Sequence, residues 1–122
     1  MKSRLRTLAR TLLSGFFLIT GTLHFYTVDF LMRMMPPYIP YPLLVIYVSG
    51  VAELGLAIAL LFPSCRLISR YVSIALLLAV FPANIHMAQH PELFPEISTA
   101  ITIARLPFQL AFIAWAWFAT SK

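Results

Sequence analysis

Long apolar stretches alternate along the chain with short segments rich in proline and charge. Residues 8–28 form the first stretch, about 20 residues, the length a helix needs to cross a hydrocarbon core of about 30 Å. Asp29 and Arg33 follow, then Pro36, Pro37, Pro40 and Pro42. Proline lacks an N–H and restricts the residue before it, so this run cannot form a helix interior. Residues 30–42 are therefore expected to be a non-helical connector. It is still apolar, and is expected to lie in the interface or fold back over the helix ends. The second stretch, 42–62, stops at Pro63, and a short basic loop runs on to Arg70. The third, 71–87, contains Pro82; residues 88–97 form a polar, proline-broken loop; the fourth, 98–118, contains Pro107. The pattern predicts an all-α integral membrane four-helix bundle, one domain over residues 1–122.

Composition supports this class. Hydrophobic residues make up 61 % and charged residues 11 %, against about 45–50 % and 25 % in soluble domains. Too few polar groups exist to cover a soluble surface, and the apolar and aromatic content excludes disorder. The basic residues before the run Thr11–Thr20 look like a signal peptide, but no A-x-A site follows and three more spans do, so a retained first helix is expected.

The net charge of +5 does not point to nucleic acid. Lys2, Arg4, Arg6 and Arg10 crowd one end, which reads as a topology signal beside a span. With the N-terminus in the cytoplasm, Arg66, Arg70 and Lys122 join them there, seven of nine basic residues. The expected topology is N-in/C-in in the inner (plasma) membrane, with the lipid bilayer as the main partner. Trp115 and Trp117 then sit near the inner boundary. The lone Cys65 falls in a reducing compartment as a free thiol, and one cysteine excludes dithiol chemistry within this chain.

Polar residues inside the apolar stretches need partners or a water-filled cavity. Glu53 lies about 16 Å along span two from Pro42 at helical rise. Ser49 is one turn above it on the same face. His24 lies near the outer end of span one, Asn84 and His86 in the last turns of span three. Arg105 and Gln109, four apart on span four, share a face, with Arg105 about 10 Å deep. Helix direction alternates, so all seven fall in the outer half. Arg105 is the expected countercharge of Glu53, with Asn84, His24 and Gln109 supplying hydrogen bonds. Pro82 and Pro107 are expected to free the carbonyls of Leu78 and Ile103 as further acceptors. The plain reading is a buried polar cluster that pins four helices in register. The functional reading is a ligand- or proton-handling pocket that opens outward.

Other features favour plain readings. His86 and His90 are four apart, but no third ligand follows at a fixed spacing, so no metal site is expected. Met32, Met34 and Met35 could suggest copper(I), yet among apolar neighbours they read as contacts to lipid or helix ends. Gly15, Gly21, Gly50 and Gly55 read as close-packing positions. No nucleotide fingerprint, Walker loop or nucleophile elbow occurs, so no catalytic residue is assigned.

Four short motifs carry a family resemblance: Gly21-Thr-Leu-His24-Phe25, Ser49-Gly50-Val-Ala-Glu53-Leu54-Gly55, Phe81-Pro82-Ala-Asn84-Ile-His86-Met87 and Arg105-Leu106-Pro107-Phe108-Gln109. In this order they resemble the DoxX family of small four-helix membrane proteins, from about Ala9 to Trp117. The resemblance implies a four-helix bundle in the inner membrane and association with redox complexes or other membrane proteins. The disulfide chemistry of quinone-reducing enzymes with a similar helix arrangement does not carry over, because the paired cysteines are missing. Three functions are expected to compete. The first is a redox-associated or ligand-binding accessory protein holding a small amphipathic molecule, such as a quinone headgroup, against Glu53, Arg105, Asn84 and His24. The second is a non-enzymatic assembly factor. The third is a proton-coupled carrier, which at this size would need to form a homo-oligomer.

Overall fold

The computed structural model describes residues 1–121; Lys122, the last of the seven basic residues assigned to the inner side, lies outside the described residues. Five helices make up the fold, and the described residues contain no strand: α1 (Lys2–Tyr26), α2 (Val28–Met34), α3 (Pro42–Ala59), α4 (Arg66–Gln89) and α5 (Thr99–Ala119). Helices α1, α3, α4 and α5 are long and apolar enough to cross a membrane. Many large hydrophobic side chains along them face outward.

Three boundaries differ from the sequence reading. The basic segment up to Arg70, expected as a loop, is helical from Arg66 and forms the first turns of α4. The basic segment at residues 2–7 continues α1 rather than preceding it. Residues 28–34, expected mostly as connector, form the short helix α2, because the prolines begin only at Pro36 and nothing before them forbids helix. The proline-rich link is thus only residues 35–41. Within it Tyr41 takes a left-handed backbone (φ 50°, ψ 57°), which is strained for a residue with a side chain. Pro42 then opens α3 at a position where its missing N–H costs nothing. Pro82 and Pro107 both sit inside helices, as expected.

The long helices pack as a ring in the order α1–α3–α4–α5, with α5 closing back on α1. Helices α3 and α5 therefore face each other across a diagonal. The α1–α3 contact is close because Gly21 and Gly50 meet there. A Cβ on Gly50 would stand 2.7 Å from His24 Cβ, and one on Gly21 would stand 3.1 Å from the Gly50 carbonyl oxygen. Gly15 and Gly55, also read as packing positions, face open space instead.

The core is divided. Near the chain termini Leu13, Phe17, Leu56, Leu60, Leu77 and Ala116 form the larger cluster. At the opposite end Met34, Met87 and Phe94 form a smaller one. Basic side chains tie the first end together. Arg70 donates to Thr120 Oγ1 at 3.0 Å, to the Trp117 carbonyl at 3.2 Å and to Ser121 Oγ at 2.7 Å. Arg10 donates to the Ala119 carbonyl at 3.3 Å, so two cations meet the carbonyl end of α5, where the helix dipole favours positive charge. Both described ends of the chain and the α3–α4 link therefore share one end of the bundle.

At the other end Arg33 clasps α2 to the α4–α5 link. Its Nη1 donates to the Leu93 carbonyl at 2.8 Å and its Nη2 to Glu96 Oε1 at 2.6 Å. Its guanidinium also lies 5.2 Å from the centres of the Phe30 and Phe94 rings. The Arg33 hydrogen bond holds the Glu96 carboxyl below its ordinary pKa. A carboxylate depressed in the folded state stabilises it above the ordinary carboxylate pKa, and that contribution is lost as pH falls through the folded value. The clasp is therefore expected to loosen below the usual carboxylate range. The protection factors of α2 amides, corrected for the intrinsic pH dependence of exchange, should fall on acidification in the native protein and stay level through that step in Glu96→Gln. Equal pH dependence in both would remove this role from Glu96.

Candidate functional site

Between the two apolar clusters the ring does not close. A cavity of about 870 Å³ remains there, with walls from all five helices. Aliphatic and aromatic side chains such as Phe16, Leu77, Ile101, Phe108 and Phe112 make most of its surface. Six of the seven singled-out polar residues line it: His24, Ser49, Glu53, Asn84, Arg105 and Gln109. The seventh, His86, does not. Its ring lies against His90, with ring centres 4.3 Å apart, and its Nδ1 is buried without a hydrogen-bond partner.

The six form two groups rather than one. On the α1–α3 side, His24 Nε2 stands 3.0 Å from Glu53 Oε2. Glu53 is only 7 % exposed, and its Oε2 has no aligned hydrogen-bond donor; the His24 contact is close in distance but not aligned as a hydrogen bond. His24 Nδ1 lies 2.9 Å from the Ile46 carbonyl, which can only accept, so Nδ1 carries a proton. Ser49 Oγ donates to the Val45 carbonyl at 2.7 Å and sits 3.2 Å from His24 Nδ1. On the α4–α5 side, Arg105 Nε donates to Asn84 Oδ1 at 3.1 Å, and Asn84 Nδ2 donates to Gln109 Oε1 at 3.1 Å. Gln109 Nε2 then donates to the Leu77 carbonyl, one residue before the Leu78 carbonyl expected to be freed by Pro82.

The expected Glu53–Arg105 ion pair is not formed. The described residues contain two ion pairs, His24–Glu53 and Arg33–Glu96. The reason lies in helix order. Glu53 is on α3 and Arg105 on α5, across the diagonal of the ring, while Gly21 and Gly50 bring α1 close to α3. His24, expected only as a secondary hydrogen-bond donor, becomes the charge partner. Half-buried Arg105 has its Nε satisfied, and its Nη atoms have no hydrogen-bond partner among the described residues.

Several lining residues were not singled out beforehand. Thr20 and Thr27 lie on the wall, and α2 roofs the cavity with Phe30, Leu31 and Met34. The three methionines part ways: Met34 is buried with Met87 and Phe94, Met35 lines the cavity, and Met32 is largely exposed. Threonine one turn from His24 on the same helix was a usable signal. The roof was not readable, because it depends on α2 turning back over the bundle. No group of three or more His, Cys, Asp or Glu side chains that could hold a metal ion occurs among the described residues.

Comparison of the chain with curated proteins gives no match, nor does comparison with solved structures. A family model does match, over residues 13–120, from the first helix to the end of α5 and so across the whole cavity. The chain belongs to the family described as Domain of unknown function (DUF8561).

Proposed function

We propose that this chain is a four-span protein of the inner membrane, N-in/C-in, whose cavity binds a small amphipathic molecule. The observation that carries the reading is the cavity itself, whose walls are mostly apolar and whose polar groups come from four helices. A bundle pinned only by polar contacts would close around them. Here about 870 Å³ stays open beside them, within the roughly 300–1,000 Å³ usual for small-molecule sites. Arg105, held by the Asn84–Gln109 chain, presents donors to a head with acceptor oxygens, such as a quinone, and the apolar walls suit its tail. The resemblance to DoxX proteins is in keeping with a redox-associated accessory role.

The orientation rests on charge. Arg4, Arg6, Arg10, Arg66 and Arg70 lie toward the end where the described termini meet, which the positive-inside rule assigns to the cytoplasm. The cavity is then in the outer half. A reporter fused after Lys122 should be active only when retained in the cytoplasm, and periplasmic activity would reverse the orientation. The pocket reading is tested by native mass spectrometry of protein extracted in mild detergent. A bound small molecule should be carried by the native protein and lost from Ala104→Phe, which fills the cavity wall. A native protein always free of small molecules, with full cellular activity in the filled variant, would leave the cluster as a packing device.

A further inference from the structure

The cavity walls hold three ionisable side chains: His24, Glu53 and Arg105. Their proton inventory can be counted from geometry. His24 Nδ1 is committed to the Ile46 carbonyl, so a neutral His24 has a bare lone pair on Nε2. That atom stands 3.0 Å from Glu53 Oε2. An ionised Glu53 would then place lone pair against lone pair in a largely buried contact. A single proton shared by the two atoms removes that repulsion, as imidazolium with carboxylate or as imidazole with carboxylic acid. In either form the pair is neutral overall. Arg105 is separate from it and keeps its charge, because a guanidinium does not deprotonate in proteins. The cavity therefore carries one positive charge that no side chain among those described offsets.

Resting on the ligand-pocket reading above, we infer that the occupant is a single-chain amphiphile with a monoanionic, two-oxygen head of the carboxylate type, seated on Arg105. The Nε of Arg105 is held by Asn84 at 3.1 Å, and Asn84 is fixed in turn by Gln109. This holds the guanidinium by its Nε and leaves its two Nη groups free as a fork for one ligand. A planar pair of oxygens with one negative charge matches such a fork. A dianion would leave excess charge in the cavity, and a neutral quinone would leave the arginine unbalanced. The cavity volume suits one chain rather than the two of a phospholipid. The neutral His24–Glu53 pair across the site does not repel the head, as a bare carboxylate would.

The test uses full-length protein, delipidated in neutral maltoside detergent, with thermal unfolding read against three additives of equal chain length. These are dodecanoate, 1-dodecanol and dodecyltrimethylammonium, with phosphatidylglycerol and a short-chain quinone as further arms. Dodecanoate should stabilise at concentrations at least roughly tenfold lower than dodecanol, as charge-assisted bonds to a guanidinium imply. The cation should not stabilise. Arg105→Gln should abolish the preference and Arg105→Lys should keep part of it. Should Arg105→Gln fail to fold, the dodecanoate–dodecanol comparison in the native protein decides without it. Equal or better stabilisation by dodecanol or by a short-chain quinone would overturn the anionic head while the pocket stands. Stabilisation by phosphatidylglycerol in place of dodecanoate would overturn the single-chain carboxylate in favour of a membrane phosphodiester. No response to any of the probes would overturn both the inference and the pocket.

Discussion

His24→Leu is expected to destabilise the protein by about 3–5 kcal/mol, the loss typical when one partner of a buried pair is removed. Glu53 would remain buried with no donor in reach, and its escape is to bind a proton, which keeps the loss toward the lower figure. Glu53→Gln should be much milder, about 1 kcal/mol, because the amide can donate to His24 Nε2 while Nδ1 keeps the Ile46 carbonyl. The double variant His24→Leu with Glu53→Leu should be more stable than His24→Leu alone, because no charged or polar group is then stranded. Glu53→Gln and Arg105→Gln, by contrast, should add to within about 0.5 kcal/mol, since the two residues sit across the diagonal of the ring and share no partner. Denaturation in one detergent of seven proteins, the native one, His24→Leu, Glu53→Leu, Glu53→Gln, Arg105→Gln and the two doubles, supplies both cycles. Strong coupling of Glu53 to Arg105, with none to His24, would mean that the carboxylate faces the other way.

Gly50→Ala should cost about 1–3 kcal/mol, as forced overpacking does. The added carbon would stand 2.7 Å from His24 Cβ, which is rooted in the α1 backbone and cannot swing aside. Helices α1 and α3 must then separate, and the His24–Glu53 contact stretches with them. Gly21→Ala should also destabilise, because its new carbon would meet backbone oxygen of Gly50 at 3.1 Å. Gly15→Ala and Gly55→Ala should be neutral or slightly stabilising, since nothing lies within 4 Å of either and alanine is the better helix former. The four melting temperatures, measured side by side, separate a close helix crossing from a general intolerance of alanine. A Gly50→Ala protein as stable as Gly55→Ala would show that no close crossing exists.

The two experiments concern the same place, where two glycines decide which charge a carboxylate meets. Glycine at 15, 21, 50 and 55 looks alike in the sequence, and each permits close approach in principle. Only the rotation of α1 against α3 selects the working pair, 21 and 50. That rotation also puts His24 beside Glu53.

The long apolar helices and the spacing of polar positions along each of them follow from the chain alone. Apolar stretches bounded by prolines and charge can only be helical where backbone groups must be satisfied internally, and four such helices are present. Regular rise along each helix led to the expectation of one level for Glu53, His24, Asn84, Arg105 and Gln109, and the structure gathers all five around one cavity. Depth is a one-dimensional quantity and can be counted along the chain. Azimuth cannot. Which helices are neighbours and which are diagonal, that α2 folds as a roof, that His86 turns away to His90, and that Glu53 pairs with His24 while Arg105 keeps open Nη groups were decided only by tertiary packing. These depend on how the helix surfaces fit together, a property of pairs of helices that neither sequence segment carries alone.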